Sequence, residues 1–418
     1  MTMRIFRNTA RFIMGAVFIF SGFVKAIDPW GSAYKFSDYF EAFGMDFLMP
    51  LSFAFALILS TTELTIGLNL FFRIRMKETA WVLIIYMVYF TILTFYSAIT
   101  NPVTDCGCFG DALILTNWQT FFKNLIFLAP TILIFHQRKQ YISGLPAWFE
   151  WFVTGLLASA VVLLSMYCIR NLPLIDFRPY KIGSNIPKLM EIPEGMPVDE
   201  YETVLVYEKD GIQREFTLES PEKPWSDSTW KWIETNNRLV KKGYIPPIHD
   251  FSLVSDSGVD VTDNVLSDPG YSFLIVSYDV RKAKLPGMKK INQFAEGAAE
   301  LGYKVYGMTS STQEVILKTI EPMKLNFEFY TTDEITLKTM VRSNPGLVLI
   351  KEGVVIGKWH FRDIPVLQDF QFQGALSYAL LTSGKKKSKD LTLNVVLLIG
   401  LLGLIMSFFR SKFQKSIT

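Results

Sequence analysis

Residues 79–99 read TAWVLIIYMVYFTILTFYSAI, a run without a single charged side chain. A helix rises about 1.5 Å per residue, so a stretch of this length matches the roughly 30 Å hydrocarbon layer of a bilayer. Similar apolar runs lie near residues 9–24, 47–72, 118–135, 151–167 and 391–409. They predict four to six membrane-spanning helices, six in the fullest reading. The composition agrees: the 418 residues are 50% hydrophobic and only 19% charged, with a mean hydropathy of +0.25. A soluble chain carries about a quarter charged residues. Forty-two Lys and Arg against 39 Asp and Glu leave a formal charge of +3, and no basic stripe interleaves with aromatics, so nucleic acid is excluded as a partner.

Orientation follows from where short loops carry Lys and Arg. Arg4, Arg7 and Arg11, the turn Arg73-Ile74-Arg75-Met76-Lys77, and Arg138-Lys139 read as inside. The acidic segment 28–46 and the loop 100–117, which has no Lys or Arg, read as outside. The first run imitates a signal peptide, with its arginines ahead of an apolar core ending Val24-Lys25-Ala26, and either way the amino terminus starts inside. Five helices then leave residue 170 outside. The run Lys385-Lys386-Lys387-Ser388-Lys389 opposes Arg410, Lys412 and Lys415 across the last apolar stretch and makes that helix alone ambiguous. Long domains translocate largely regardless of charge, so the soluble part is expected outside.

Residues 170–243 open with five prolines between 173 and 197, then Thr203–Tyr207, a Lys209-Asp210-Gly211 turn and Gln213–Leu218 predict a hairpin; residues 225–242 read as helical. From Tyr244 strands alternate with helices: a buried strand at Ser272–Ser277, an amphipathic helix at Met288–Leu301, a strand at Lys304–Met308, a helix at Gln313–Met323, a hairpin of Gly346–Ile350 with Val354–Trp359, and a helix near 370–381. This order suits a small α/β sheet with an antiparallel edge. The domains are thus a bundle at 1–169, a linker and hairpin/helix subregion at 170–243, an α/β domain at 244–385 and a terminal span at 391–409.

The sharpest chemical signal is Asp105-Cys106-Gly107-Cys108-Phe109-Gly110-Asp111, in an outer loop between two spans. Outside the cytoplasm thiols persist as disulfides unless reduced, and a disulfide between residues two apart closes a small, strained, reducible ring. The pair reads as a redox site or as an inert loop staple; two thiolates alone do not complete a metal site, and no metal is expected. Asp105 and Asp111 are expected to raise the thiol pKa values and so to oppose a strongly activated thiolate. Cys168, at the outer end of the fifth span, reads as a resolving thiol or as a small buried hydrophobe. Glu63 stands inside the second run, where an ionisable group is costly; proton coupling, a quinone contact, or hydrogen bonds to neighbouring threonines would each account for it. Lys25 reads as a snorkelling side chain, Trp30 as a headgroup anchor and Asp28-Pro29 as a turn or helix start.

On Phe20-Ser21-Gly22-Phe23-Val24-Lys25 with Asp28-Pro29, Glu63 and the Asp105–Gly110 loop, residues 1–170 resemble the DoxX/MauE group of redox-associated membrane proteins. That resemblance implies support of disulfide formation in exported partners and a helix bundle like that of vitamin K epoxide reductases. Tyr244–Leu253, Ser255-Asp256-Ser257-Gly258 and the following strand resemble the opening of TlpA-like thioredoxin domains, and Asn344-Pro345-Gly346 sits where these place a cis-proline strand. Their redox cysteines would fall near 279–284; here the sequence is Asp279-Val280-Arg281-Lys282-Ala283-Lys284, which cannot perform thiolate chemistry. The fusion resembles a protein type found in Bacteroidetes.

The expected function is an inner-membrane component supporting thiol–disulfide exchange of exported proteins through Cys106 and Cys108, with quinone the candidate cofactor. The alternative is a non-catalytic scaffold of a larger envelope complex, with the thioredoxin-like domain as its binding module. A transporter built around Glu63 is less consistent with a chain lacking inverted repeats.

Overall fold

The computed structural model describes residues 2–103, 105–320, 324–365 and 367, with Gly403, Ile405, Phe408 and Ser411 beyond them. The helix near 370–381 and, apart from Gly403, Ile405 and Phe408, the expected span at 391–409 lie outside the described residues. The chain divides into two compact units, residues 1–183 with 252–418, and residues 184–251.

The larger unit begins with α1 (Thr2–Ile27), α2 (Pro29–Ala42), α3 (Ser52–Phe72), α4 (Met76–Thr100), α5 (Asn117–His136) and α6 (Ala147–Arg170). All but α2 are long and apolar enough to cross a membrane. Asp28 caps α2, its carboxylate accepting from the Gly31 amide, with Pro29 at the first helical position, where its missing N–H costs nothing. Of the two readings of Asp28-Pro29, turn or helix start, the helix start is the one observed.

Helices α1 and α3 approach closely along small residues. A Cβ on Gly22 would lie 2.3 Å from the Leu64 amide nitrogen, and one on Gly67 would lie 2.5 Å from that of Ile19. In a membrane, where water does not drive helices together, such close backbone contact supplies much of the packing energy. Arg11 donates to the carbonyls of Leu70 and Phe71, closing the last turn of α3. Gly22→Ala is therefore expected to destabilise the bundle by about 1–3 kcal/mol, the usual cost of overpacking. Gly15→Ala, whose new Cβ would meet its nearest atoms only at 3.3 Å, should cost less. Thermal unfolding of the two variants in detergent would rank them, and equal midpoints would refute the seam.

The same unit continues, after residue 251, as α8 (Thr262–Leu266), β4 (Tyr271–Val276), α9 (Leu285–Glu300), β5 (Lys304–Thr309), α10 (Gln313–Ile320), β6 (Phe329–Thr331), α11 (Glu334–Met340), β7 (Gly346–Lys351) and β8 (Val354–His360). The sheet order is β6-β5-β4-β7-β8, with β4, β5 and β6 parallel and β7 and β8 antiparallel to β4. Phe273 and Ile275 of β4 with Leu347 and Leu349 of β7 pack on Ile291, Phe294, Ala295 and Ala298 of α9. The Asn344–Pro345 peptide is cis. This order fits the thioredoxin-like domain expected from the sequence: β4, β5, β7 and β8 fall where the hydrophobic runs predicted strands, whereas the three-residue edge strand β6 has no counterpart among them.

The smaller unit holds α7 (Ile186–Met190) and the antiparallel sheet β2-β1-β3, formed by β1 (Glu200–Lys209), β2 (Ile212–Thr217) and β3 (Lys231–Lys241). Asp210 and Gly211 both have positive φ, the two-residue turn that matches strand twist. The helix expected at 225–242 is instead β3, which pairs with β1 from Glu200↔Lys241 to Glu208↔Lys231. Trp232, Ile233, Thr235 and Val240 favour an extended chain, and the open edge of β1 supplies the partner that a local reading does not contain.

Candidate functional site

Helix α4 ends at Asn101, whose φ is positive, and α5 restarts at Thr116, which forms a capping box with Gln119. Between them the cysteine loop is tied at its base by the Asn117 side chain, which donates to the Asn101 side chain and to the Val103 carbonyl, both at 2.8 Å. Gly107 and Gly110 have positive φ, and the Gly110 amide donates to the Gly107 carbonyl at 3.0 Å. This tight turn needs glycine twice, because a side chain at either position would strain the backbone. It sets the two free thiols side by side, with their Sγ atoms 3.1 Å apart.

The loop rests on polar groups from α1 and α3. The Cys108 carbonyl accepts from Ser21 Oγ at 2.7 Å and from Lys25 Nζ. Lys25 and Ser21 also both donate to Glu63 Oε2, each at 2.8 Å, and all three side chains are buried. The close approach at Gly22 is what lets neighbouring residues of α1 reach across to α3. Lys25 therefore does not snorkel to the headgroups: it is 4% exposed and paired to the intramembrane carboxylate. Glu63 finds its partners in Lys25 and Ser21.

The thiols are unequal. Cys106 donates to Cys108, and this hydrogen bond, with the nearby charges of Lys123 and Lys25, lowers the Cys108 pKa to about 6 against the opposing effects of burial and Glu63. The same hydrogen bond, together with burial, pushes Cys106 well above its ordinary value, with the Tyr39 hydroxyl pulling weakly the other way. The expectation that Asp105 and Asp111 would suppress a thiolate does not hold. Asp105 is paired to Lys35 at 2.7 Å and Asp111 faces Arg342 at 3.1 Å, so their charges are largely answered within the loop's surroundings. Two cations do the opposite work: Lys25, read from the sequence only as a snorkelling side chain, and Lys123, which the sequence reading missed. Lys123, from α5, lies 4.4 Å from the centre of the Phe109 ring. It was detectable by the same logic as Glu63, as a charge within an apolar run.

Cys106, Gly107, Cys108 and Phe109 form part of the wall of a cavity of about 360 Å³ in the bundle. Its other walls include Phe36, Tyr39, Phe55, Tyr86 and Phe90, with Lys25, Lys35, Glu63 and Lys123 as charged groups. A mostly apolar chamber rich in aromatic rings, with a few convergent polar groups, is the usual make-up of a small-molecule site. Cys168 is elsewhere. It is buried with Ile27 and Leu174 in an apolar cluster, and the structure does not bring it to the pair. Trp30 stacks on Tyr34 and contacts Phe53.

In the thioredoxin-like domain, the stretch 279–284 holds a short 3-10 turn, Val280–Lys282, capped by Asp279, whose side chain accepts from the Arg281 amide. The Asn344 side chain donates to the Asp279 carbonyl at 2.9 Å. No thiol stands there.

Residues 3–137 match the family model described as methylamine utilisation protein MauE, and residues 201–242 match one described as a domain of unknown function (DUF8463). No curated protein matches the chain. Similar solved structures include a hypothetical protein from Sinorhizobium meliloti, 14% identical with a TM-score of 0.22, covering 26% of this chain and 66% of that one, just under two thirds of its length. Another is a candidate protein disulfide isomerase from Bacteroides thetaiotaomicron, 14% identical with a TM-score of 0.24, covering 31% of this chain and 85% of that one.

Proposed function

We propose that this chain, a MauE-type helical bundle joined to a thioredoxin-like domain, carries out thiol–disulfide exchange with exported proteins at the bacterial inner membrane, using Cys106 and Cys108. The observation that carries the reading is the pairing of a low-pKa Cys108 with a protonated Cys106 on the wall of an aromatic cavity within apolar helices. A thiolate is the attacking and leaving species in exchange, and a pKa near ambient pH gives the best compromise between its abundance and its reactivity.

In the oxidised form, a partner's thiolate attacks the Cys106–Cys108 disulfide and forms a mixed disulfide. The partner's second thiolate then displaces the loop cysteine. The partner leaves as a disulfide, and both loop cysteines are thiols again. Their reoxidation to the disulfide releases two electrons and two protons; a lipid-soluble quinone held in the neighbouring cavity would supply the two-electron, two-proton acceptor that this requires. The cavity beside the thiols suits the ring of such an acceptor, with aromatic walls to stack on it and polar groups that include Lys25, Lys35, Glu63 and Lys123. Arg4, Arg7, Arg73, Arg75 and Arg138 flank the opposite helix ends from the cysteine loop, which supports a cytoplasmic amino terminus and a periplasmic thioredoxin-like domain.

The test is a site-resolved alkylation profile of the full chain in membranes. The Cys108 rate should climb as pH rises through about 6 and level off above it, because only the ionised thiol reacts. In a separate sample, incubation of the oxidised, unlabelled chain with reduced exported proteins should trap mixed disulfides on the loop. A Cys108 that labels only above pH 8, with no mixed disulfide at any redox poise, would overturn the reading.

A scaffold role is the second reading, favoured by the cysteine-free 279–284 segment. It predicts stoichiometric co-purification with an envelope protein that survives replacement of both loop cysteines.

A further inference from the structure

Arg342 lies between α11 and β7, three residues before Pro345, and its side chain is 5% exposed. Its guanidinium spends all three nitrogens on named acceptors. Nε reaches both Asp28 oxygens at 3.0 Å, Nη2 reaches Asp28 at 2.9 Å and Asp111 at 3.1 Å, and Nη1 reaches the Lys338 carbonyl at 2.6 Å. The bundle is shaped to admit it. A Cβ on Gly31 would sit 2.8 Å from Arg342 Nη2, and Tyr34 presents its ring 5.3 Å from the guanidinium carbon. Burial alone would raise the Asp28 pKa, but Arg342 and then Arg178 outweigh it and hold that carboxylate ionised.

Asp111 is three residues beyond Cys108, in the 3-10 turn Gly110–Ala112 that closes the cysteine loop. Among the described residues the loop is therefore tied through Asp105 to Lys35, through the Cys108 carbonyl to Ser21 and Lys25, and through Asp111 to Arg342. The first two ties come from the bundle. The third comes from the thioredoxin-like domain, which has no thiol of its own to bring to the site.

We infer that Arg342 is a positioning residue for the thiol pair: through Asp111 and Asp28 the cysteine-free domain holds the loop in the geometry that sets Cys108 among its cations. The redox consequence rests on the proposed exchange function; the positioning itself does not. Cys108 is faced by Cys106 within the loop, Lys25 on α1, Tyr39 on α2 beside Cys106, Glu63 on α3 and Lys123 on α5. Without Arg342, Asp28 and Asp111 lose their shared counter-charge and repel, and the loop end moves relative to those groups. A thiolate displaced from nearby cations becomes harder to form.

The experiment is the pH profile of site-resolved alkylation on the full chain in membranes, with an impermeant maleimide as probe. Arg342→Ala is expected to move the Cys108 midpoint up by about one pH unit, the scale of a lost nearby charge, and to speed labelling at saturating pH. Arg342→Lys keeps the charge but not the fork and should recover part of the shift. Asp111→Asn should shift the midpoint in the same direction, and the double variant should move it no further than Arg342→Ala alone, because both remove one tie. If Arg342→Ala does not fold, Asp111→Asn carries the test, since Arg342 keeps Asp28. A wild-type midpoint and labelling rate in a folded variant would overturn the inference. Shifted midpoints without any mixed disulfide in the wild-type chain would leave the positioning intact and refute the exchange function instead.

Discussion

Cys108→Ser is expected to abolish oxidation of exported dithiols, lowering the rate on the order of 100-fold or more, because a serine hydroxyl is not ionised near neutral pH and cannot form the disulfide. Cys106→Ser should fail differently. Serine at 106 still offers an O–H to the neighbouring sulfur, so Cys108 keeps a donor within reach of the position that Cys106 occupies at 3.1 Å. The Cys108 thiolate persists, can be captured in a mixed disulfide and has no partner in the loop to resolve it. Turnover therefore stops in both variants, while trapped complexes accumulate only in Cys106→Ser. Non-reducing electrophoresis of membranes incubated with an oxidised exported protein reads this directly. Equal trapping by the two variants would reverse the assignment of nucleophile and donor, and full activity in Cys108→Ser would end the exchange mechanism.

The second large effect lies under the loop. Lys25→Met leaves Glu63 buried with Ser21 as its remaining named partner and removes a donor from the Cys108 carbonyl. Breaking a buried ion pair from one side costs about 3–5 kcal/mol, since the surviving charge cannot reach water. Glu63→Gln is expected to be costly for the same reason, with Lys25 left on Ser21 and a backbone carbonyl. Removing both charges together should recover part of the loss, as the desolvation penalty disappears with them. Stability should thus be better in Lys25→Met/Glu63→Gln than in either single variant, as measured by unfolding in detergent. Thiol labelling by an impermeant maleimide at saturating pH should nonetheless be faster than in the wild type in the double variant, because the loop has still lost its Lys25 tie. Additive losses in the double variant would show that the two residues do not act as a pair.

The bundle was legible because a spanning helix must hide its backbone and face lipid with apolar side chains, which leaves long uncharged runs in the sequence. The strands of the thioredoxin-like domain were legible for a related reason: Phe273–Val276 and Leu347–Ile350 are buried on both faces and read as continuous apolar blocks. The strand β3 was not, since most of its residues are exposed and its hydrogen bonds come from β1. Neither local period nor propensity records a partner thirty residues away.

The site divides in the same way. Cys106, Cys108 and Glu63 stand out by residue type alone, two thiols in a short glycine turn and a carboxylate in an apolar run. Their chemistry depends on what surrounds them. Asp105 and Asp111 look like obstacles to a thiolate until Lys35 and Arg342 are seen opposite them, one from α2 and one more than two hundred residues later. Lys25 looks like a surface anchor until Gly22 brings α1 against α3. Lys123 enters the site only because α5 packs beside the loop it follows.

The sequence by itself determined the membrane-spanning character, the thioredoxin-like order of strands and helices, the lack of cysteine at 279–284 and the two adjacent thiols. These depend on hydrophobic period, run length and residue chemistry, which are local. The tertiary structure alone decided which thiol is ionised, which cations face it, that Glu63 is paired, and that Arg342 holds the loop. Coulomb and hydrogen-bond energies depend on separations of a few ångströms between side chains that the chain order does not bring together.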